Sequence, residues 1–140
     1  MSSNKISITV EAAVNAPIEK VWAYYTLPQH IMQWNQASPD WHCPKAENDL
    51  KIRGKFSSTM AAKDGSFSFD FWGIYDDVLE NELIMYTMGD GRKATVKFSS
   101  IGDITEVTIV FEAEDQNPAE MQQGGWQAIL NNFKKYTETN

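Results

Sequence analysis

Three short stretches carry residue types that could do chemistry. In Trp41-His42-Cys43 a thiol stands beside an imidazole, the pairing of a nucleophile with its base. Adjacent side chains of an extended strand point to opposite faces, so these two cannot meet if the stretch is a strand, and Cys43 reads as a structural cysteine. Asp70, between Phe69 and Phe71, and Glu112, between Phe111 and Ala113, are carboxylates set among apolar residues. Strict alternation puts both on the solvated face of a sheet, away from acid-base work, and only a strand bulge would turn either inward. Gly89-Asp90-Gly91 is glycine-rich but lacks a strand-to-helix setting, so it reads as a hairpin turn and not a phosphate cradle. Neither His30 nor His42 stands at a ligand spacing such as C-x-x-C or H-E-x-x-H. No catalytic residue, no metal and no cofactor are therefore expected.

What remains is large and apolar. Five tryptophans, seven phenylalanines, five tyrosines and six methionines in 140 residues are more than a minimal core needs, and they hint at a lined pocket. The length suits one domain, residues 1–140, with room for a cavity. A net charge of −7 repels polyanions, so neither nucleic acid nor an anionic membrane surface is an expected partner. The single cysteine excludes an internal disulfide, and the opening MSSNKISITV lacks the parts of a signal peptide, so a cytoplasmic protein is expected. Charges interrupt every apolar run before it could span a bilayer.

These side chains need elements to hold them. KISITVEAAV alternates Ile6, Ile8 and Val10 against Ser7, Thr9 and Glu11, which predicts a strand. NAPIEKVWAYYT follows with Pro17 at a first helical position and Ile18, Val21 and Tyr25 on one side, and LPQHIMQW predicts a second short helix ending near Trp34. From Trp41 to Ala113 six further strands are separated by turns at Asp64-Gly65, Glu80-Asn81-Glu82, Asp90-Gly91 and Gly102-Asp103. One face of this sheet is apolar, and the only long helical pattern available to cover it begins after Asn117. Asn117 is expected to cap that helix, with Pro118 at its first position and Glu120 completing a capping box. Met121, Trp126, Ile129, Leu130, Phe133 and Tyr136 share its inward arc; Glu120, Gln123, Gln127, Asn131 and Lys134 make the wet face. Gln122 lies near the arc's centre and needs a partner. Two adjacent glycines interrupt the helix at roughly 1 kcal/mol each relative to alanine. Gly125 borders the apolar arc, which suggests a close approach of strand or ligand; Gly124 faces water without a visible packing reason.

Strand, two short helices, six antiparallel strands and a long amphipathic helix, in that order, resemble the helix-grip fold of the START-like, or SRPBCC, superfamily. VNAPIEKVWAYYT is similar to its opening helix, and NDLKIRGKF to its strand leading into a Gly-Gly-x-Phe segment, with Arg53 in place of the first glycine. KDGSFSFDFWGIYDDV and GWQAILNNFKKY resemble the branch related to the activator of heat-shock-protein-90 ATPase, often labelled polyketide-cyclase-like. The resemblance implies an α+β fold in which a curved antiparallel sheet of about seven strands (β-α-α-β6-α) wraps on the C-terminal helix. It also implies a deep cavity between the two that holds a lipid-like or polycyclic molecule.

The residues expected to contact that molecule are Phe56, Met60, Phe69, Phe71, Met85, Phe98, Phe111, Met121, Trp126, Ile129 and Phe133, each of which could equally be core. Gln122 and Gly125 join them from the helix. Trp34, Trp41 and His42 would stand at the cavity mouth if the family's layout holds. The expectation is a protein that binds a hydrophobic small molecule without catalysis. Two alternatives stay open: a cyclase- or hydrolase-like enzyme acting on a polyketide-like substrate in the same cavity, and a co-chaperone-like interaction module. A homodimer, through a sheet edge or the long helix, also stays open.

Overall fold

The computed structural model describes residues 6–140. Lys5, at the head of the expected first strand, lies outside them. The elements run β1 (Ser7–Val14), α1 (Ile18–Thr26), α2 (Pro28–Trp34), β2 (Trp41–Asn48), β3 (Lys55–Ala62), β4 (Ser68–Leu79), β5 (Leu83–Met88), β6 (Lys93–Ile101), β7 (Ile104–Glu112) and α3 (Ala119–Thr139). The strands form one antiparallel sheet in the order β1-β7-β6-β5-β4-β3-β2. The expected hairpin turns stand where their residues suggested, with Gly65 and Gly91 at φ 79° and 93°, a region costly for side chains with a Cβ.

Alternation sets which face each strand buries. Val10 and Val14 of β1, Val96 of β6, and Val107 and Phe111 of β7 point inward, and with Val21, Leu130 and Phe133 from the helices they are at most 1% exposed. The compact valines between the two larger phenylalanines let the helices close onto one half of the sheet. α2 is held to α3 by His30, whose Nδ1 lies 2.7 Å from the Tyr136 hydroxyl and whose ring stacks on Tyr24 at 3.9 Å.

α3 approaches the sheet most closely at β1 and stands off from β3, β4 and β5. Its polar face does more than meet water. Gln127 Nε2 donates to Glu11 O at 3.0 Å and its Oε1 accepts from Glu11 N at 3.4 Å, while Gln123 Nε2 donates to Thr9 O at 3.3 Å. Glu138 accepts from Asn15 N at 2.8 Å, just past the end of the strand. Glutamines expected to be merely solvated thus occupy the unpaired edge of β1, which blunts it as a template for another strand.

The helix start differs from expectation. Pro118 is the N-cap and makes no side-chain capping bond. Asn117 stands one residue before that cap, and its amide donates to Glu114 Oε2 at 2.8 Å, folding the preceding loop on itself. Among the described residues, no helix is long and apolar enough to cross a membrane.

Candidate functional site

Where α3 stands off, a cavity of about 410 Å³ opens between the helices and strands β3 to β5. Its floor follows from the period of β4. Phe69, Phe71, Gly73 and Tyr75 alternate to one face, and all but the glycine line the space. A Cβ on Gly73 would fall 2.6 Å from Thr87 O and 2.7 Å from the Phe56 ring, so the absence of a side chain lets that ring lie across the strand. There Phe56 meets Tyr75 at 5.3 Å and Tyr86 edge-on at 4.8 Å between ring centroids. From α3, Trp126 stacks on Phe111 at 3.8 Å and turns its edge to Phe71 at 6.0 Å. Tyr25 of α1 fills the wall between Trp34, Phe98 and Phe133.

Polar side chains interrupt these apolar walls, among them Thr26, Asn48, Arg92, Glu114 and Gln122, and these five are committed to other protein groups. Asn48 accepts from the Tyr75 hydroxyl and donates from Nδ2 to Thr26 O at 2.6 Å, which fixes its amide. Burial pushes the phenols of Tyr25, Tyr75 and Tyr86 well above the ordinary tyrosine value, with the neighbouring Tyr25 adding to the rise at Tyr75 and Tyr86. At the rim, Arg92 donates from Nε to Asp90 Oδ2 at 2.8 Å and from Nη1 to Glu112 O at 3.0 Å. Glu114 is held below the usual carboxylate range by hydrogen bonds from the Asn117 backbone and amide. No group of three or more His, Cys, Asp or Glu among the described residues could hold a metal ion.

The residues singled out from sequence divide by place. Trp34, Phe56, Met60, Phe69, Phe71, Gln122, Trp126 and Ile129 line the cavity. Gln122 does so with its amide engaged: Oε1 accepts from Glu114 N at 2.9 Å, and Nε2 donates to the carbonyls of Glu114 and Asn117. It anchors the loop before α3. Phe98, Phe111 and Phe133 lie outside the lining, in the closed core, because Trp22 and Tyr25 cover the first, Trp126 the second, and Tyr25 with Trp34 the third.

Other positions are corrections. Met85 is exposed on the outer face, because Ile84 and Tyr86 take the inward positions of β5. Met121 is 63% exposed in the first turn of α3. His42 is exposed, and Cys43, its neighbour, is turned inward and buried, so the two form no dyad. Trp41 stands outside the lining, where its ring meets those of Phe67 and Phe69 at 6.1 Å each, an aromatic lip beside the opening. Gly125 faces open space: a Cβ there would meet nothing within 4 Å, so no strand approaches the helix at that point. Asp70 is exposed and accepts from Thr59 Oγ1 at 2.8 Å, across the strands and away from the cavity.

Sequence reading missed Tyr25, Tyr75, Tyr86 and Asn48. Tyr75 was within reach, since it continues the period of Phe69 and Phe71. Tyr86 was hidden because both faces of β5 carry apolar residues.

A family model for activator of Hsp90 ATPase homolog 1-like proteins matches residues 15–138. The chain belongs to that family. It is similar to the AHSA1-like protein from Aeromonas hydrophila, with 42% identity over 96% of this chain and 93% of that one and a TM-score of 0.90. It is also similar to a protein from Cytophaga hutchinsonii, at 59% identity, 99% and 94% coverage and a TM-score of 0.80. A Chromobacterium violaceum protein at 22% identity, covering 96% and 99%, shares the fold with a TM-score of 0.86. No curated protein matches. The family's sheet and last helix make the helix-grip arrangement of the START-like superfamily. Arg53 stands at φ 69°, where glycine is unstrained, and a Cβ on Gly54 would collide with Asp49 O. Arg53 thus takes a conformation that a glycine at the first position of the segment would adopt freely.

Proposed function

We propose that the protein binds a hydrophobic small molecule, lipid-like or polycyclic, in the cavity between sheet and α3, without catalysis. The observation that carries this is the cavity itself, about 410 Å³ with mostly aromatic and aliphatic walls. Side chains around a void forgo the packing contacts that the rest of the molecule makes, and an apolar guest restores them. The ionisable groups support binding over the enzyme alternative. Acid-base work needs a group that titrates near neutrality beside the substrate. The cavity offers phenols pushed upward by burial, while at the rim Arg92 is engaged by Asp90 and Glu47 pairs with Lys45 at 3.5 Å in the open. Our reading keeps the protein in the cytoplasm as one domain and leaves a homodimer open, with β2 as the edge for it.

Native mass spectrometry of the purified protein should find a co-purifying lipid or metabolite. A thermal-shift screen of fatty acids, sterols and polycyclic compounds should raise the melting temperature for a binder; saturation at about a hundred times Kd adds about 2.7 kcal/mol. A bare protein mass together with an unmoved melting temperature across all three classes would sink the reading.

A further inference from the structure

We propose that the hydroxyls of Tyr25 and Tyr86 form an oxygen-recognition subsite, so that the cavity takes an apolar ligand bearing a carbonyl or similar uncharged acceptor oxygen and disfavours free carboxylates. This rests on the binding reading above and deepens it.

Three tyrosines line the cavity, and they are not equivalent. The Tyr75 hydroxyl is already spent on Asn48, whose amide is fixed in turn by Thr26. Tyr86 is only 7% exposed, with its ring edge-on to Phe56, and its hydroxyl has no hydrogen-bond partner among the described residues. Tyr25 is clamped by the rings of Trp34, Phe98 and Phe133, and its hydroxyl also has no partner among them. Neither oxygen is sealed in protein: among the described residues the one enclosed side-chain oxygen or nitrogen without a partner is Thr137 Oγ1. Both hydroxyls therefore open onto the cavity.

A buried donor left unanswered is costly, and a ligand that answers it is favoured over an isostere that does not. Burial keeps both phenols protonated at neutral pH, so each offers an O–H. A neutral acceptor oxygen meets that donor with little desolvation, whereas a carboxylate needs a cation to enter an apolar space. Arg92 is the one cationic residue in the lining, and it is held by Asp90 and the Glu112 carbonyl, with Glu114 also at the rim. A ligand cation would leave both O–H groups unanswered.

The full chain is titrated with 2-acetylnaphthalene, its hydrocarbon counterpart 2-ethylnaphthalene, and 2-naphthoate, in the wild type, Y25F, Y86F and the double variant. The ketone-to-hydrocarbon affinity ratio should fall about tenfold from wild type to the double variant, the size of one neutral hydrogen bond. The carboxylate should bind more weakly than the ketone. The infrared C=O stretch of bound 2-acetylnaphthalene should lie below its value in alkane, a wild-type measurement that holds even where a variant fails to fold. An unchanged ratio, an alkane-like stretch, or tightest binding of 2-naphthoate overturns the subsite and leaves cavity binding standing. Binding of none of the three compounds also overturns the subsite, while the mass measurement and the screen of fatty acids, sterols and polycyclic compounds decide cavity binding separately.

Discussion

The two halves of the sheet use similar residue types to opposite ends. Over β1, β7 and β6, the helices descend until Val10, Val14, Val96, Val107, Phe111 and Phe133 lose nearly all contact with solvent, except that Phe98 keeps 7% exposure. Over β3, β4 and β5, phenylalanines just as inward by strand period, Phe56, Phe69 and Phe71, stay partly uncovered around an open volume. The difference lies in what opposes them. On the closed side, glutamines of α3 fasten the helix to the β1 edge; on the open side, Gly73 removes a side chain so that Phe56 spreads across β4 while the helix stands away. A pocket here is a core whose second layer is held at a distance.

Truncation should separate the halves most sharply. Phe133→Ala removes a ring from the closed side and should cost about 3–5 kcal/mol in chemical denaturation, whereas Phe71→Ala, already beside a void, should cost less than half as much. Equal losses would erase the distinction between core and lining. Gly73→Ala sets a methyl against Thr87 O and the Phe56 ring and should cost about 1–3 kcal/mol, with loss of ligand-induced thermal shift.

Alkaline titration sharpens the comparison from the open side. Tyr25, Tyr75 and Tyr86 have folded-state values raised above the ordinary 10.0 by burial, so they contribute no pH dependence below it. Above it, the unfolded chain releases protons that the folded chain retains, and stability falls by up to about 1.4 kcal/mol per phenol per pH unit. Absorbance at 295 nm should show these three ionising only as the protein unfolds; early ionisation in the folded state would mean that the cavity is open to bulk water. The smallest effect belongs to the helix glycines. With open space beside both, Gly124→Ala and Gly125→Ala should each stabilise by up to about 1 kcal/mol. A loss at Gly125 would restore the close approach that its position on the helical wheel suggested.

Much of this was legible in the chain. Period-two alternation and the turn residues predicted the strands of the sheet, because a half-buried strand must put apolar groups on one face and turns need residues that tolerate their φ. The same period sets Phe69 and Phe71 on one face of their strand. It failed at Met85, where Leu83 and Met85 make the outer face of β5 as apolar as the inner, and at Met121, where a helical wheel cannot say that the first turn is uncovered. It could not separate Phe111 from Phe71, since the two differ only in what covers them: Trp126 stacks on one and meets the other by its edge.

The sequence by itself determined the elements, their order, the inward face of most strands and the acidic surface, because these follow from local spacing and composition. Only the tertiary structure decided which inward residues became core and which became wall, that the polar glutamines of α3 would hold the β1 edge, and that two tyrosine hydroxyls would face the cavity unpaired. Those outcomes depend on the height of a helix above a sheet, which is set by contacts between residues more than a hundred positions apart, such as Glu11 with Gln127, and no local pattern encodes it.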